Sequence, residues 1–194
     1  SDVYFYTIGG GYGAVKGLGV ERMHDYLQRF GIGQRTGIDL LGEAEGLIPT
    51  TEWNAETYPN DPLWRAGDSY NMSIGQGWLL STPLQMARAT LALARGGELL
   101  QPRVMRSVTR GMDDKDKQRV SISAPALEIA IRGMRAAVLK GTATGVASIR
   151  PSVAAKTGTA EVTRSGRTHS WFIGFLPVEN PELVLVVNME NGPA

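Results

Sequence analysis

The four residues Lys156-Thr157-Gly158-Thr159 hold the densest chemistry in this sequence. The lysine brings a positive charge, and the two threonines bring hydroxyls that donate or accept hydrogen bonds. They sit inside "SVAAKTGTAEV", a run with strand character. A glycine within a strand weakens it and marks a place where a ligand or a second backbone comes close, so Gly158 clears space among these polar groups. An unpaired backbone N–H on that edge can stabilise a developing acyl oxyanion. Together the residues are suited to hold a carboxylate beside a reacting carbonyl. A surface lysine followed by a turn spells the same four letters, and the spacing alone leaves both readings open.

Other reactive residue types are sparse. His24 and His169 are the two histidines, far apart in sequence and without a metal-ligand spacing, so each is read as structural. The chain has no cysteine, which excludes disulfides, thiolate zinc sites and a cysteine nucleophile. "GGGYGAVKGLG" invites a phosphate-loop reading, but no GK[ST] follows in register. It reads instead as a glycine-rich turn or a contact between helices. Lys and Arg number 20 against 19 Asp and Glu, a net charge of +1, so no overall field points to nucleic acid or an acidic membrane surface. No apolar run approaches the roughly 18 residues that span a bilayer, and any anchor is expected outside this sequence.

The reactive quartet needs a sheet to carry it, and the last fifty or so residues supply one. "SVAAKTGTAEV", "HSWFIGFLP" and "ELVLVVNME" read as three strands joined by "TRSGRT" and "PVENPE", connections short enough to favour antiparallel neighbours. The last run is apolar on both faces, which predicts a strand covered on both sides. Trp171 is expected in the core or in a cleft wall.

Upstream, Val20, Met23, Leu27 and Phe30 recur at helical spacing from Leu18, and Gly31 follows where a left-handed cap belongs. In "STPLQMARATLALARGG", Thr82 caps a helix, Pro83 takes its first position, Gln85 completes a capping box and Gly96 closes it. Leu84, Ala87, Leu91 and Ala94 form its expected buried stripe. A short strand is expected at Arg103–Val108, then a solvated turn in "RGMDDKDKQR". A further helix starts near Ser123 or Pro125, carries Leu127, Ile131, Met134 and Val138, and ends at Gly141. Gly31–Ser81 shows turn signals such as "PTTEW" and "YPNDPLW" without a sustained period. It is expected to be irregular chain forming a functional wall or binding loop.

Read in order, "DVYFY", "FGIGQRTGIDLLGEAEGLIPT", "GDSYNMSIGQGWLLSTPLQMARA", "GTATG", "AAKTGTAEV" and "SWFIGFLP" resemble the C-terminal part of the transpeptidase domain of class B penicillin-binding proteins. Within that class the chain looks most like the elongation-type, penicillin-binding protein 2 group. The implied fold is α+β, the fold shared by penicillin-binding proteins and serine β-lactamases. It is an antiparallel five-stranded sheet flanked by helices, of which the three strands here match the third to fifth. Residues 1–194 are then expected to be the C-terminal portion of one such domain.

The resemblance implies a peptidoglycan D,D-transpeptidase working through a serine acyl-enzyme. Its nucleophile belongs to an S-x-x-K motif, and none occurs here: Lys16, Lys115, Lys117, Lys140 and Lys156 follow Gly13, Met112, Asp114, Ala137 and Val153 by three residues. The chain alone is therefore not expected to acylate. In the family's second motif, Asp2 takes the third position, Ser1 the middle, and the motif serine lies one residue upstream. The aromatics of "YFY" are expected to anchor the following helix in the core. Lys156 matches the lysine that stabilises the donor carboxylate and aids proton transfer. Thr157 and Thr159 match the hydroxyls that grip that carboxylate, Gly158 gives the ligand room, and the Thr159 N–H forms half of the oxyanion hole. The catalytic assignments are thus Lys156, Thr159 and Asp2, and the substrate-binding ones Thr157, Gly158 and Thr159.

The implied ligands are peptidoglycan stem peptides and beta-lactam antibiotics. The implied partners are the remainder of the same transpeptidase domain and elongation-machinery membrane proteins. The implied location is the periplasmic face of the bacterial cytoplasmic membrane, with no cofactor, no metal and no nucleic acid. The competing classes are a non-catalytic module that binds peptidoglycan or assembly partners, and a β-lactamase or β-lactam sensor.

Overall fold

The computed structural model describes residues 2–105, 117–162 and 166–193. The chain divides into two compact units, Ser1–Gln34 with Glu45–Ser81, and Arg35–Ala44 with Thr82–Ala194.

The first unit holds the helices α1 (Asp2–Gly10), α2 (Gly19–Arg29), α3 (Thr51–Thr57) and α4 (Ala66–Ser73). α2 follows the expected period, with Val20 and Met23 buried and Gly31 at φ +81° just past its end. The glycine-rich segment proves to be a contact between helices. Helix α1 runs through Gly9 and Gly10, where added Cβ atoms would lie 2.3 Å from Ser73 Cβ and 2.3 Å from a Tyr70 ring carbon of α4. Glycine is what lets the two helices touch. The Tyr6 and Tyr70 rings sit 5.6 Å apart, and the Tyr70 hydroxyl donates to the Gly11 carbonyl at 2.9 Å. The expected anchoring by "YFY" holds only for Tyr6. Tyr4 and Phe5 point outward, 64% and 44% exposed, because consecutive helical residues lie about 100° apart and the contact with α4 takes one of the three.

The stretch expected to be irregular contains α3 and α4, with 7 and 8 residues. Helices of two turns are too short to display a period, and their ends carry the signal instead. The Thr50 hydroxyl accepts the Trp53 N–H at 3.1 Å, so the threonines of "PTTEW" start a helix where a turn was expected. The Asp68 carboxylate accepts the Arg65 N–H at 2.7 Å at the start of α4.

The second unit is built from α5 (Pro83–Ala94), β1 (Glu98–Leu100), β2 (Lys117–Arg119), α6 (Ala124–Lys140), β3 (Ala154–Val162), β4 (Arg167–Leu176) and β5 (Leu183–Pro193). The capping box of α5 forms as read: Gln85 N–H donates to the Thr82 hydroxyl and Thr82 N–H to the Gln85 side chain, both at 3.1 Å. Its buried residues, however, are Gln85, Arg88, Thr90 and Ala92, while the expected Leu84, Ala87, Leu91 and Ala94 are only half-buried. Polar groups are admitted because each is satisfied. Arg88 donates to the Leu100 carbonyl at 2.9 Å and Thr90 to the Met86 carbonyl at 2.7 Å. Burial of the Arg88 guanidinium pulls its pKa below the usual arginine value.

β1 and β2 form an antiparallel pair with Leu99 opposite Gln118. The last three residues of the charge run thus form a strand, contrary to the solvated turn expected there, because β1 offers them an edge. Residues 110–116 of that run and 106–108 of the strand expected at Arg103–Val108 lie outside the described residues, and residues 103–105 are not strand. Ahead of α5, the Arg35–Ala44 loop is pinned by carboxylates. Glu43 accepts the Thr36 N–H at 2.8 Å, its hydroxyl at 2.5 Å, and the Gly37 N–H at 3.1 Å. Asp39 accepts the N–H groups of Val104 and Met105 at 2.7 and 3.0 Å. Burial on its own raises the Glu43 pKa, and these donors outweigh it, leaving the group below its ordinary value.

Strands β3, β4 and β5 form an antiparallel sheet in that order, as the short connections predict; the turn residues 163–165 lie outside the described residues. Helix α6 carries its expected stripe into two clusters one turn apart. Met134 meets Ala154 and Phe175, whereas Val138 meets Ala143, Val153 and Ala155. Ala154 and Ala155 point to opposite faces of β3, so the start of that strand is packed on both. The expected double coverage of β5 is not present. Leu183, Leu185, Val187 and Met189 are 46–55% exposed, because α5 packs on the sheet face that carries Val184 and no described element covers the alternate residues.

Candidate functional site

β3 carries the quartet at its centre. Two contacts fix where that strand begins: Arg135 of α6 donates to the Val153 carbonyl at 2.8 Å, and the Ser152 hydroxyl donates to the Glu179 carboxylate at 2.5 Å. The Ser152 hydrogen bond is the main cause of a Glu179 pKa below the ordinary value. From Ala155 onward burial falls away, with Lys156, Gly158 and Thr159 exposed and Thr157 half-buried. Among the described residues β3 pairs with β4 alone. Alternate residues of a strand turn their backbone N–H groups to the same edge, so those of Thr157 and Thr159 share one.

The Lys156 ammonium folds back to donate to the Thr157 carbonyl. The Thr157 hydroxyl lies 2.6 Å from the Thr142 hydroxyl. Thr142 is a neighbour that sequence reasoning missed, although it sits in the quoted "GTATG"; the available signal was Gly141, which ends α6 and sends the next residue toward the sheet. Gly158 faces Trp171 across the strands. A Cβ on Gly158 would lie 3.6 Å from Trp171 Cβ, an ordinary contact, and its φ is not in the left-handed region. Neither packing within the described chain nor backbone conformation requires glycine here. The quartet thus presents a cation, two hydroxyls and a stretch of uncrowded backbone on one strand, a combination that can seat an anionic ligand alongside β3.

Asp2 belongs to the other unit, as the exposed first residue of α1; Ser1 lies outside the described residues. The histidines have structural company: His24 Nδ1 sits 3.8 Å from Asp25, and His169 Nδ1 accepts the Asn191 N–H at 3.3 Å. Among the described residues no group of three or more histidine, aspartate or glutamate side chains is placed to hold a metal ion. No helix there is long and apolar enough to cross a membrane.

The family described as penicillin binding protein transpeptidase domain matches residues 1–194. Peptidoglycan D,D-transpeptidase MrdA of Acinetobacter baumannii is 33% identical over 98% of this chain and 30% of its own length. The crystal structure of Pseudomonas aeruginosa PBP2 in complex with WCK 5153 superposes with a TM-score of 0.84 at 34% identity, covering 98% of this chain and 42% of that one. PBP2 of Helicobacter pylori, solved in complex with MreC, gives a TM-score of 0.78 at 30% identity over 99% of this chain and 35% of that one. The chain spans about a third of the length of the curated relatives it matches. The resemblance read from the ordered motifs and its α+β fold class are both borne out. This chain belongs to the penicillin-binding protein transpeptidase domain family, and MrdA and PBP2 proteins are among its relatives.

Proposed function

We propose that the protein to which this chain contributes is a peptidoglycan D,D-transpeptidase, with residues 1–194 forming the C-terminal portion of its transpeptidase domain. A serine supplied by the rest of that domain attacks the carbonyl between the two terminal D-alanines of a stem peptide. The terminal D-alanine leaves with a proton, an ester to the serine remains, and an amine of a neighbouring strand then takes the acyl group and frees the serine. Lys156 attracts the donor carboxylate and assists proton transfer, Thr157 and Thr159 hold that carboxylate, and the Thr159 N–H supplies half of the oxyanion hole. Asp2 is the third residue of the second motif, two positions after the serine that relays the proton.

The observation that carries this reading is the exposed quartet on β3, whose glycine nothing in the described chain demands, in a sequence that matches the family over its whole length. The exposed alternate residues of β5 support the remainder of the domain as an intramolecular partner. The MreC complex of the Helicobacter pylori relative supports an elongation-machinery partner of that kind. Beta-lactams act as ligands by mimicking the donor, and the site works on the periplasmic side of the bacterial cytoplasmic membrane.

A fluorescent penicillin added to the full-length protein tests the proposal. The wild type acquires a covalent label, and Lys156→Ala slows labelling by about 100-fold, the scale of losing one charge-stabilising group, with an unchanged circular dichroism spectrum. An unlabelled wild type rejects the acyl-enzyme, and an unchanged rate in the variant rejects the role of Lys156.

A further inference from the structure

The first unit carries an aromatic cluster that neither the core nor the quartet uses. Trp53, Tyr58 and Trp78 have ring centroids 6.1, 5.9 and 5.3 Å apart, taken as Trp53–Tyr58, Trp53–Trp78 and Tyr58–Trp78. Local chemistry sets each one. The Thr50 cap holds Trp53 in the first turn of α3, and Tyr58 follows as the last residue tied to that helix through Asn54. Trp78 lies on a turn two residues before Leu80, whose backbone exchanges two 2.9 Å hydrogen bonds with Leu47.

A cluster that served only as a small core would be buried and would spend its polar atoms internally. Here Trp78 is 49% exposed, and Trp53 and Tyr58 are half-buried. Among the described residues, the side-chain polar atoms of all three make no hydrogen bond, those of Trp53 and Tyr58 running through their backbone, which leaves two indole N–H groups and a phenol hydroxyl for an outside partner. Trp64 of the same unit shows the opposite arrangement, its indole donating to Ser69 at 2.9 Å. Apolar ring faces edged by unspent donors suit a molecule with apolar faces and hydroxyls at its rim, which describes a pyranose ring. Glu52 and Glu56 on α3 stand exposed close by in sequence, a charge that disfavours nucleic acid and anionic lipid.

We propose that Trp53, Tyr58 and Trp78 form a carbohydrate-stacking site that takes the glycan backbone of the peptidoglycan strand. The identity of that glycan rests on the transpeptidase reading, whereas the site itself does not require acylation.

The test uses full-length protein carrying 5-fluorotryptophan and a neutral, peptide-free oligomer of β-1,4-linked N-acetylglucosamine, followed by fluorine NMR. Resonances are assigned through Trp→Phe variants. The expected result is a saturable shift of the Trp78 and Trp53 signals with the Trp64 signal unmoved. Affinity falls about tenfold in Trp78→Ala, the low end of what loss of a stacking ring costs, and falls less in Tyr58→Phe, which keeps its ring. Should Trp78→Ala not fold, the pattern of shifts in the wild type decides the matter alone. No shift at millimolar sugar overturns the proposal, as does a shift shared by Trp64. Movement produced by a free stem peptide but not by the sugar overturns it in favour of a polypeptide occupant. Penicillin labelling of the same wild-type sample reads the transpeptidase proposal separately, so the two fail independently.

Discussion

Substituting Gly158 by alanine separates what the fold needs from what a ligand needs. The added methyl would lie 3.6 Å from Trp171 Cβ, with no other atom within 4 Å beyond its chain neighbours, and the backbone there is ordinary for an L residue. Glycine inside a strand is less stable than alanine by about 0.5–1 kcal/mol, so thermal or denaturant unfolding of the full-length Gly158→Ala protein should show equal or higher stability. Binding moves the other way. A ligand lying along β3 would meet the methyl at the point where the quartet leaves its backbone bare. An overpacked contact costs about 1–3 kcal/mol, which in the acylation step corresponds to a loss of roughly 5- to 150-fold. The assay is the rate of fluorescent penicillin labelling beside a melting curve on the same preparation. Destabilisation by more than about 1 kcal/mol would mean that the space around Gly158 is not what the strand geometry gives. Acylation within about twofold of wild type would mean that no ligand passes over it.

Two further substitutions probe the scaffold. Phe175→Ala removes a side chain with 0% exposure that packs against Met134 and Ala154, and should cost about 3–5 kcal/mol in denaturant unfolding of the full-length protein; a loss under about 1 kcal/mol would contradict its place in the core. Asp39 has its pKa lowered from the ordinary 3.8, first by the Val104 N–H and then by the Met105 N–H. A carboxylate depressed in the folded state contributes stability above its unfolded pKa and loses it as pH falls through the folded one. The acid-side decline in melting temperature below about pH 4 should therefore be shallower in Asp39→Asn than in wild type, and parallel declines would refute the anchoring role.

What the sequence disclosed follows from how far each signal reaches. The capping box at Thr82 and the stripe of α6 depend on residues a few positions apart, so they could be read directly. The quartet was legible for the same reason, since four consecutive residues bring their own strand with them. α3 and α4 escaped notice because helices of 7 and 8 residues show caps before they show a period. The stripe of α5 was misjudged because hydropathy ranks Arg88 and Gln85 as surface residues, whereas the Leu100 carbonyl, twelve positions on, makes the burial of Arg88 acceptable, and the Thr82 cap does the same for Gln85. Likewise the Thr142–Thr157 contact spans 15 positions and depends on how α6 ends.

The sheet exposes two kinds of surface, and water treats them differently. Lys156 and Thr159 on β3 are exposed at little cost, because polar surface groups find hydrogen-bond partners either in the protein, as the Lys156 ammonium does at the Thr157 carbonyl, or in water. Leu183, Leu185, Val187 and Met189 on β5 have no such compensation, and each square ångström they leave uncovered forgoes about 25 cal/mol. On the proposed reading, β3 takes up and releases a ligand at little cost, whereas the β5 face gains stability from whatever packs on it. That difference separates a binding edge from an assembly face within a single three-stranded sheet. On the transpeptidase proposal, turnover falls to the polar quartet and the apolar β5 face is left to packing.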